Sequence, residues 1–148
     1  INPSALPGTS MLGLFTLHAV QAGDVICEYA GDVLTEAEFH ARYANVADAH
    51  YCLVQSVPNR PRSLVTIDAR STQPSVARYI NDGTPSKVAN NCRFVRRFFG
   101  SEGRHSEFRI TTSKASNLLA TTVVCVVAVR NISAGEELLI EYGRNFWQ

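Results

Sequence analysis

Three stretches of this 148-residue chain set recognition-type or reactive residues at short spacing. Ser10-Met11-Leu12-Gly13-Leu14-Phe15 places a glycine among apolar residues, where backbone or ligand can approach closely. Ala77-Arg78-Tyr79-Ile80-Asn81-Asp82-Gly83 follows an aliphatic anchor with a polar tip. From Ile132 the chain runs through Gly135-Glu136-Glu137-Leu138 to Glu141-Tyr142-Gly143, two carboxylates and then a tyrosine beside a glycine. Singly, each has an ordinary explanation: glycine and Asp-Gly make turns, and a tyrosine packs with its hydroxyl satisfied. Four cysteines stand at Cys27, Cys52, Cys92 and Cys125. None has the C-x-x-C spacing of a zinc or dithiol site, so no metal is expected. They are too sparse for a disulfide scaffold, and buried free thiols of a reducing compartment are expected.

These stretches need elements to hold them. Leu12 to Leu17 reads as a short strand, and Val25 to Tyr29 as a second after the Gln21-Ala22-Gly23-Asp24 turn. Thr35-Glu36-Ala37-Glu38 is a capping box, and Phe39, Tyr43 and Val46 continue at helical spacing, which predicts a helix over 36–46. Strands are expected at 51–57 and 64–68, then loops over 69–90 around a helical turn at Val76 to Ile80. Cys92 to Phe99 and Phe108 to Thr112 read as a pair across a Gly-containing turn. Leu118 to Arg130, dense in β-branched residues, predicts a central buried strand, with a last strand from Glu137 to Tyr142. The fold class is therefore mainly β, in small sheets with one short helix.

Hydrophobic residues at 45% and charged residues at 18% allow a real core and exclude wholesale disorder. With 14 Lys plus Arg against 13 Asp plus Glu, coating nucleic acid or an anionic membrane is not the expected business of the chain. The balance hides a split. Residues 21–50 hold six acids against Arg42 alone, whereas residues 60–109 hold ten bases against four acids. The longest apolar run, Leu118 to Val129, is too short to span a bilayer as a helix. An opening at Ile1 in place of Met suggests a piece cut from a longer protein.

In order and spacing the motifs together resemble the SET domain, the family of S-adenosylmethionine-dependent protein lysine methyltransferases. The matching residues are Met11-Leu12-Gly13, Glu28-Tyr29-Ala30-Gly31, Tyr51-Cys52-Leu53, Ile67-Asp68-Ala69, Arg78-Tyr79-Ile80-Asn81-Asp82, Asn90-Asn91-Cys92, and Gly135-Glu136-Glu137-Leu138 with Glu141-Tyr142-Gly143. Pro3, Pro7 and Gly8 predict an irregular lead-in over 1–10, and the likeness implies a domain over 11–143 with a tail over 144–148. It also implies small sheets around a pseudoknot, the last motif segment passing under a loop near the Asn segment.

The resemblance further implies transfer of a methyl group from S-adenosylmethionine to a lysine amine by direct in-line displacement. Tyr142 matches the central catalytic tyrosine, and Tyr51 is assigned to catalysis and to the cofactor edge. Ser10, Met11, Leu12, Gly13, Asn81 and Asp82 match the cofactor-binding positions, and Trp147 is placed to stack on adenine. Tyr29, Phe94 and Ile140 match the lining of the lysine channel. Phe94 and Ile140 fall where a tyrosine hydroxyl would hold water and limit the product, so di- or trimethylation is expected. The pattern departs from the family at Met11, where glycine is usual, and at Asp82-Gly83-Thr84, where His-Ser-Cys is usual. The expected partner is a basic protein or peptide such as a histone tail, in the nucleus or cytoplasm. The acids of 21–50 fit such a partner. A silent SET-like scaffold is the alternative, and RNA binding through Arg93, Arg96 and Arg97 ranks below both.

Overall fold

Short apolar runs broken by turn residues fold here into separate small ladders. The computed structural model of the chain describes residues 1–57, 60–70, 75–98 and 122–143. By contacts the chain divides into two compact units, residues 1–28, 76–95 and 124–148 and residues 29–75 and 96–123. The fold is mainly β, as expected.

In the first unit β1 (Asn2–Pro3) pairs antiparallel with β2 (Leu12–Gly13), setting Asn2 opposite Gly13. The strand expected over 12–17 stops at Gly13, and Phe15 forms only a single bridge, to Glu137. A three-stranded sheet, most of whose residues belong to this unit, follows the order β3 (Val25–Glu28), β8 (Thr122–Ala128), β7 (Cys92–Phe98). Its middle strand is the β-branched run, and Val124 to Ala128 are all buried. The expected partner strand at 108–112 and the start of the run before Thr122 lie outside the described residues.

Residues 137–142 are not the regular strand expected. Leu139 and Ile140 instead make single parallel bridges to Asn81 and to Cys92. The Ile140 N–H donates to the Asn81 carbonyl at 2.9 Å, while the Asn91 and Cys92 N–H groups donate to the Leu139 carbonyl at 3.0 and 2.9 Å. The segment is thus bonded on both sides, between 80–82 and 90–92, which the 83–89 loop joins. That is the crossing a pseudoknot requires. Ile80, Ile132, Leu138 and Ile140 are the largest fully buried side chains of this core. Each aliphatic side chain so buried contributes roughly 1.5–3 kcal/mol.

In the second unit β4 (Asp32–Thr35), β6 (Arg60–Asp68) and β5 (Cys52–Val57) form an antiparallel sheet in that order. Thr35 ends β4 and caps α1 (Glu36–Arg42). Its hydroxyl accepts from the Glu38 N–H at 3.3 Å, and the Glu38 carboxylate accepts from the Thr35 N–H at 2.8 Å, the expected capping box. The helix ends at Arg42, short of the expected Val46, because Tyr43 is extended at φ −119°, ψ 100°. Its ring turns inward, and its hydroxyl donates to Asp68 at 2.7 Å. Val46, the third apolar residue of the periodicity, is 62% exposed and opens a separate 3-10 turn, Val46–Asp48.

Asp68 is wholly buried, and its carboxylate also accepts from Arg42 Nη1 at 2.8 Å and the Arg70 N–H at 2.9 Å. Arg42 Nη1 donates as well to Asp32 at 2.8 Å. Burial, followed by the bond to Asp68, pushes the Tyr43 phenol up to about 12. Gly31 packs against the Asp68 backbone so closely that a Cβ there would lie 2.2 Å from the Asp68 carbonyl oxygen.

Candidate functional site

A cleft of about 500 Å³ opens in the first unit, and Tyr142, Phe94, Ile140, Arg93 and Glu141 are among its lining residues. Three residues singled out from sequence, Tyr142, Phe94 and Ile140, are therefore gathered in one place. The Tyr142 hydroxyl lies 2.6 Å from the Ile80 carbonyl, which can only accept, so the phenol proton is committed to Ile80. Toward anything else this oxygen acts as an acceptor. The Tyr142 N–H is held in turn by Asp82 Oδ2 at 2.9 Å.

Asp82 is buried, with Oδ1 accepting from the Thr84 N–H at 2.8 Å and from Asn90 Nδ2 at 3.3 Å. The carboxylate that replaces the family's histidine is thus turned onto the chain's own backbone. Asn81 is buried beside it, and its Nδ2 donates to the Leu12 carbonyl at 3.0 Å and to Glu137 Oε1 at 3.2 Å. This pins the first motif to the Asn segment. Ser10 is exposed, and the apolar side chains of Met11 and Leu12 are 54% and 49% exposed. Gly13 is buried against Glu137, and a Cβ there would stand 2.1 Å from Glu137 Oε1. An apolar edge beside fixed polar groups is the chemistry that a nucleoside carrying an amino-acid end calls for. Trp147 lies outside the described residues.

Tyr29 and Tyr51 meet each other in the second unit. The Tyr29 hydroxyl donates to the Tyr51 carbonyl at 2.8 Å, and the Ala69 N–H donates to the same oxygen at 2.9 Å. Tyr29 is buried and Tyr51 is 38% exposed. Again the phenol proton of Tyr29 is committed to a carbonyl.

A sequence model of the SET domain matches residues 11–143. The chain belongs to the SET domain family. No curated protein matches it. SET domains are a methyltransferase superfamily and in general bind S-adenosylmethionine.

This SET domain contains polar centres whose bonding partners the sequence did not disclose. Asn91, fully buried, donates through Nδ2 to the Glu137 carbonyl at 2.8 Å and accepts the Leu139 N–H at 2.8 Å, locking the crossing. Glu137, 7% exposed, and Asp68 are the other two. The two carboxylates carry a signal, each standing against apolar residues: Leu138-Leu139-Ile140 follow Glu137, and Ile67 and Ala69 flank Asp68. Glu136 differs, being half-buried. The bonded Arg130 guanidinium, aided by the Ser133 N–H and Asn91, holds its carboxyl down at about 2.

The thiols are free, with Cys92 and Cys125 buried but Cys27 and Cys52 only half-buried. Burial pushes Cys27 up to about 12 and Cys52 and Cys92 up to about 11. Among the acids of 21–50, Asp32 pairs with Arg42, Glu38 caps α1 and Asp24 accepts the Gln21 N–H. The ion pair with Arg42 offsets the charge of Asp32, while backbone N–H donors leave the Asp24 and Glu38 charges in place. Among the described residues no helix is long and apolar enough to cross a membrane, and no cluster of His, Cys, Asp and Glu could hold a metal ion.

Proposed function

We propose that this SET domain transfers a methyl group from S-adenosylmethionine to the side-chain amine of a lysine in a basic protein, a histone tail being the model substrate. The observation that carries the reading is the Tyr142 hydroxyl, donated to Ile80 in the cleft that also holds Phe94 and Ile140. When bound, the cofactor supplies a methyl group already activated on sulfur, its bond to sulfur breaking as the bond to the amine nitrogen forms. The chain must orient the amine, keep it uncharged and keep water away.

Tyr142, as an acceptor, takes an N–H of the amine and turns the nitrogen lone pair toward the methyl. The rings of Phe94 and Tyr142 cover the alkyl stem and attract its cationic head on entry. An apolar surround lowers the amine pKa from its ordinary ~10.4, releasing the proton before attack. The family resemblance alone assigns Tyr29 and Tyr51 to the lining of the amine's path, with Tyr51 also at the cofactor edge. Ser10, Met11, Leu12, Gly13, Asn81, Asp82 and Trp147 are assigned to the cofactor. Phe94 and Ile140 carry no hydroxyl to hold a product-limiting water, which supports di- or trimethylation. Free thiols support residence in a reducing nucleus or cytoplasm.

Calorimetric titration with S-adenosylmethionine, followed by mass spectrometry of lysine-containing basic peptides, tests the reading. Cofactor binding and methylated lysine are expected. Binding without turnover on any peptide would turn the reading to a scaffold, and no binding would end it.

A further inference from the structure

Ser4 and Ala5, ahead of the family match, are bonded into the same polar centre as the proposed cofactor edge. Glu137 is 7% exposed and accepts three hydrogen bonds from two directions. Ser4 Oγ donates to Oε1 at 2.7 Å, and the Ala5 N–H donates to Oε2 at 2.8 Å. On the other side Asn81 Nδ2 donates to Oε1 at 3.2 Å and shares its hydrogens with the Leu12 carbonyl at 3.0 Å. The Ser4 N–H donates to the Met11 carbonyl at 2.9 Å, Pro3 faces Leu12 across the β1–β2 pair, and Leu6 is buried. The expectation of an irregular lead-in outside the domain does not anticipate these bonds.

We infer that Asn2–Leu6 is a strap that sets the cofactor edge, with Glu137 as its positioning residue and Ser4 as its clasp. A buried carboxylate is tolerated only while charge-assisted hydrogen bonds replace its water. Two of the three bonds come from the strap. Without them Glu137 turns toward solvent, Asn81 loses its second anchor, and the Leu12 carbonyl is held less firmly. Gly13 makes the arrangement specific, since Oε1 occupies the space a side chain would need. The inference rests on the proposed cofactor site, and its test separates the two.

The full chain is compared with Ser4→Ala, Ser4→Thr and Glu137→Gln by calorimetry with S-adenosylmethionine and by hydrogen exchange without it. Ser4→Ala removes one charge-assisted bond and is expected to weaken cofactor binding about ten-fold. It should raise the cofactor KM more than it lowers kcat. Ser4→Thr keeps the hydroxyl and should restore the affinity, and Glu137→Gln should bind more weakly than the parent. In the cofactor-free chain the Met11 to Gly13 amides should exchange faster in Ser4→Ala than in the parent. Unchanged exchange, or parent affinity in Ser4→Ala, overturns the strap. A parent that binds no cofactor, while exchange still rises in Ser4→Ala, overturns the transfer reading and leaves the strap standing.

Discussion

Replacing Tyr142 by phenylalanine removes one oxygen and leaves the ring that lines the cleft. Two effects follow, and they differ in size. The lost hydroxyl had donated to the Ile80 carbonyl at 2.6 Å, and Ile80 is 1% exposed, so a buried acceptor is left without that donor. Such a loss costs about 1–3 kcal/mol. With an unfolding entropy of about 2.1 cal/mol/K per residue, the 148-residue chain should lose about 3–10 °C in Tm. The chemical effect is larger. An acceptor that orients the attacking amine contributes on the order of 10²-fold or more, so single-turnover rates should drop by at least that factor. Cofactor affinity should hardly move, because the ring and the Tyr142 N–H bond to Asp82 remain. Thermal unfolding, calorimetry and single-turnover mass spectrometry on one preparation separate these terms. A variant that is less stable but transfers methyl at the parent's rate would refute the role given to the hydroxyl.

Further outcomes are expected from the packing. Tyr43→Phe removes a bond to the buried Asp68 carboxylate without opening a cavity, and urea unfolding should show a loss of about 2 kcal/mol. A loss indistinguishable from zero would mean that Arg42 and the Arg70 N–H suffice. Gly31→Ala places a Cβ 2.2 Å from the Asp68 carbonyl oxygen, and backbone must move to admit it. Roughly 1–3 kcal/mol should be lost, and unchanged stability would contradict the tight approach. Cys27, Cys52 and Cys92 ionise near 9.0 when unfolded but only at about 12, 11 and 11 when folded. The folded chain therefore binds more protons above pH 9, and their contribution is complete below that value and declines as pH rises toward 11–12. Urea midpoints at about pH 8 and about pH 10 should differ in that direction, and equal midpoints would contradict the burial of the thiols.

Local chemistry was the legible part. Thr35 and Glu38 announce the start of the helix because the cap involves residues three apart, and the β-branched run announces a central strand. The helix end was not legible, because Tyr43 leaves the helix for Asp68, a residue 25 positions away. β4 was missed since its four residues run directly into the capping box. The segment 137–142 reads as a strand by pattern, yet its bonds come from Asn81, Asn91 and Cys92, which periodicity cannot reveal. Motif order marked Tyr142, Phe94 and Ile140, whereas the bonds of Ser4, Asn91 and Glu137 join residues between 46 and 133 positions apart. Their roles become visible only once the chain is folded.

The most direct measurement is the mass of a lysine-containing basic peptide after incubation with the chain and S-adenosylmethionine carrying an isotopically labelled methyl group. The account predicts labelled methyl on the lysine amine, reaching the di- or trimethyl form, and its loss when that lysine is replaced by arginine. Label that never leaves the cofactor, across peptides from many basic proteins, would contradict it.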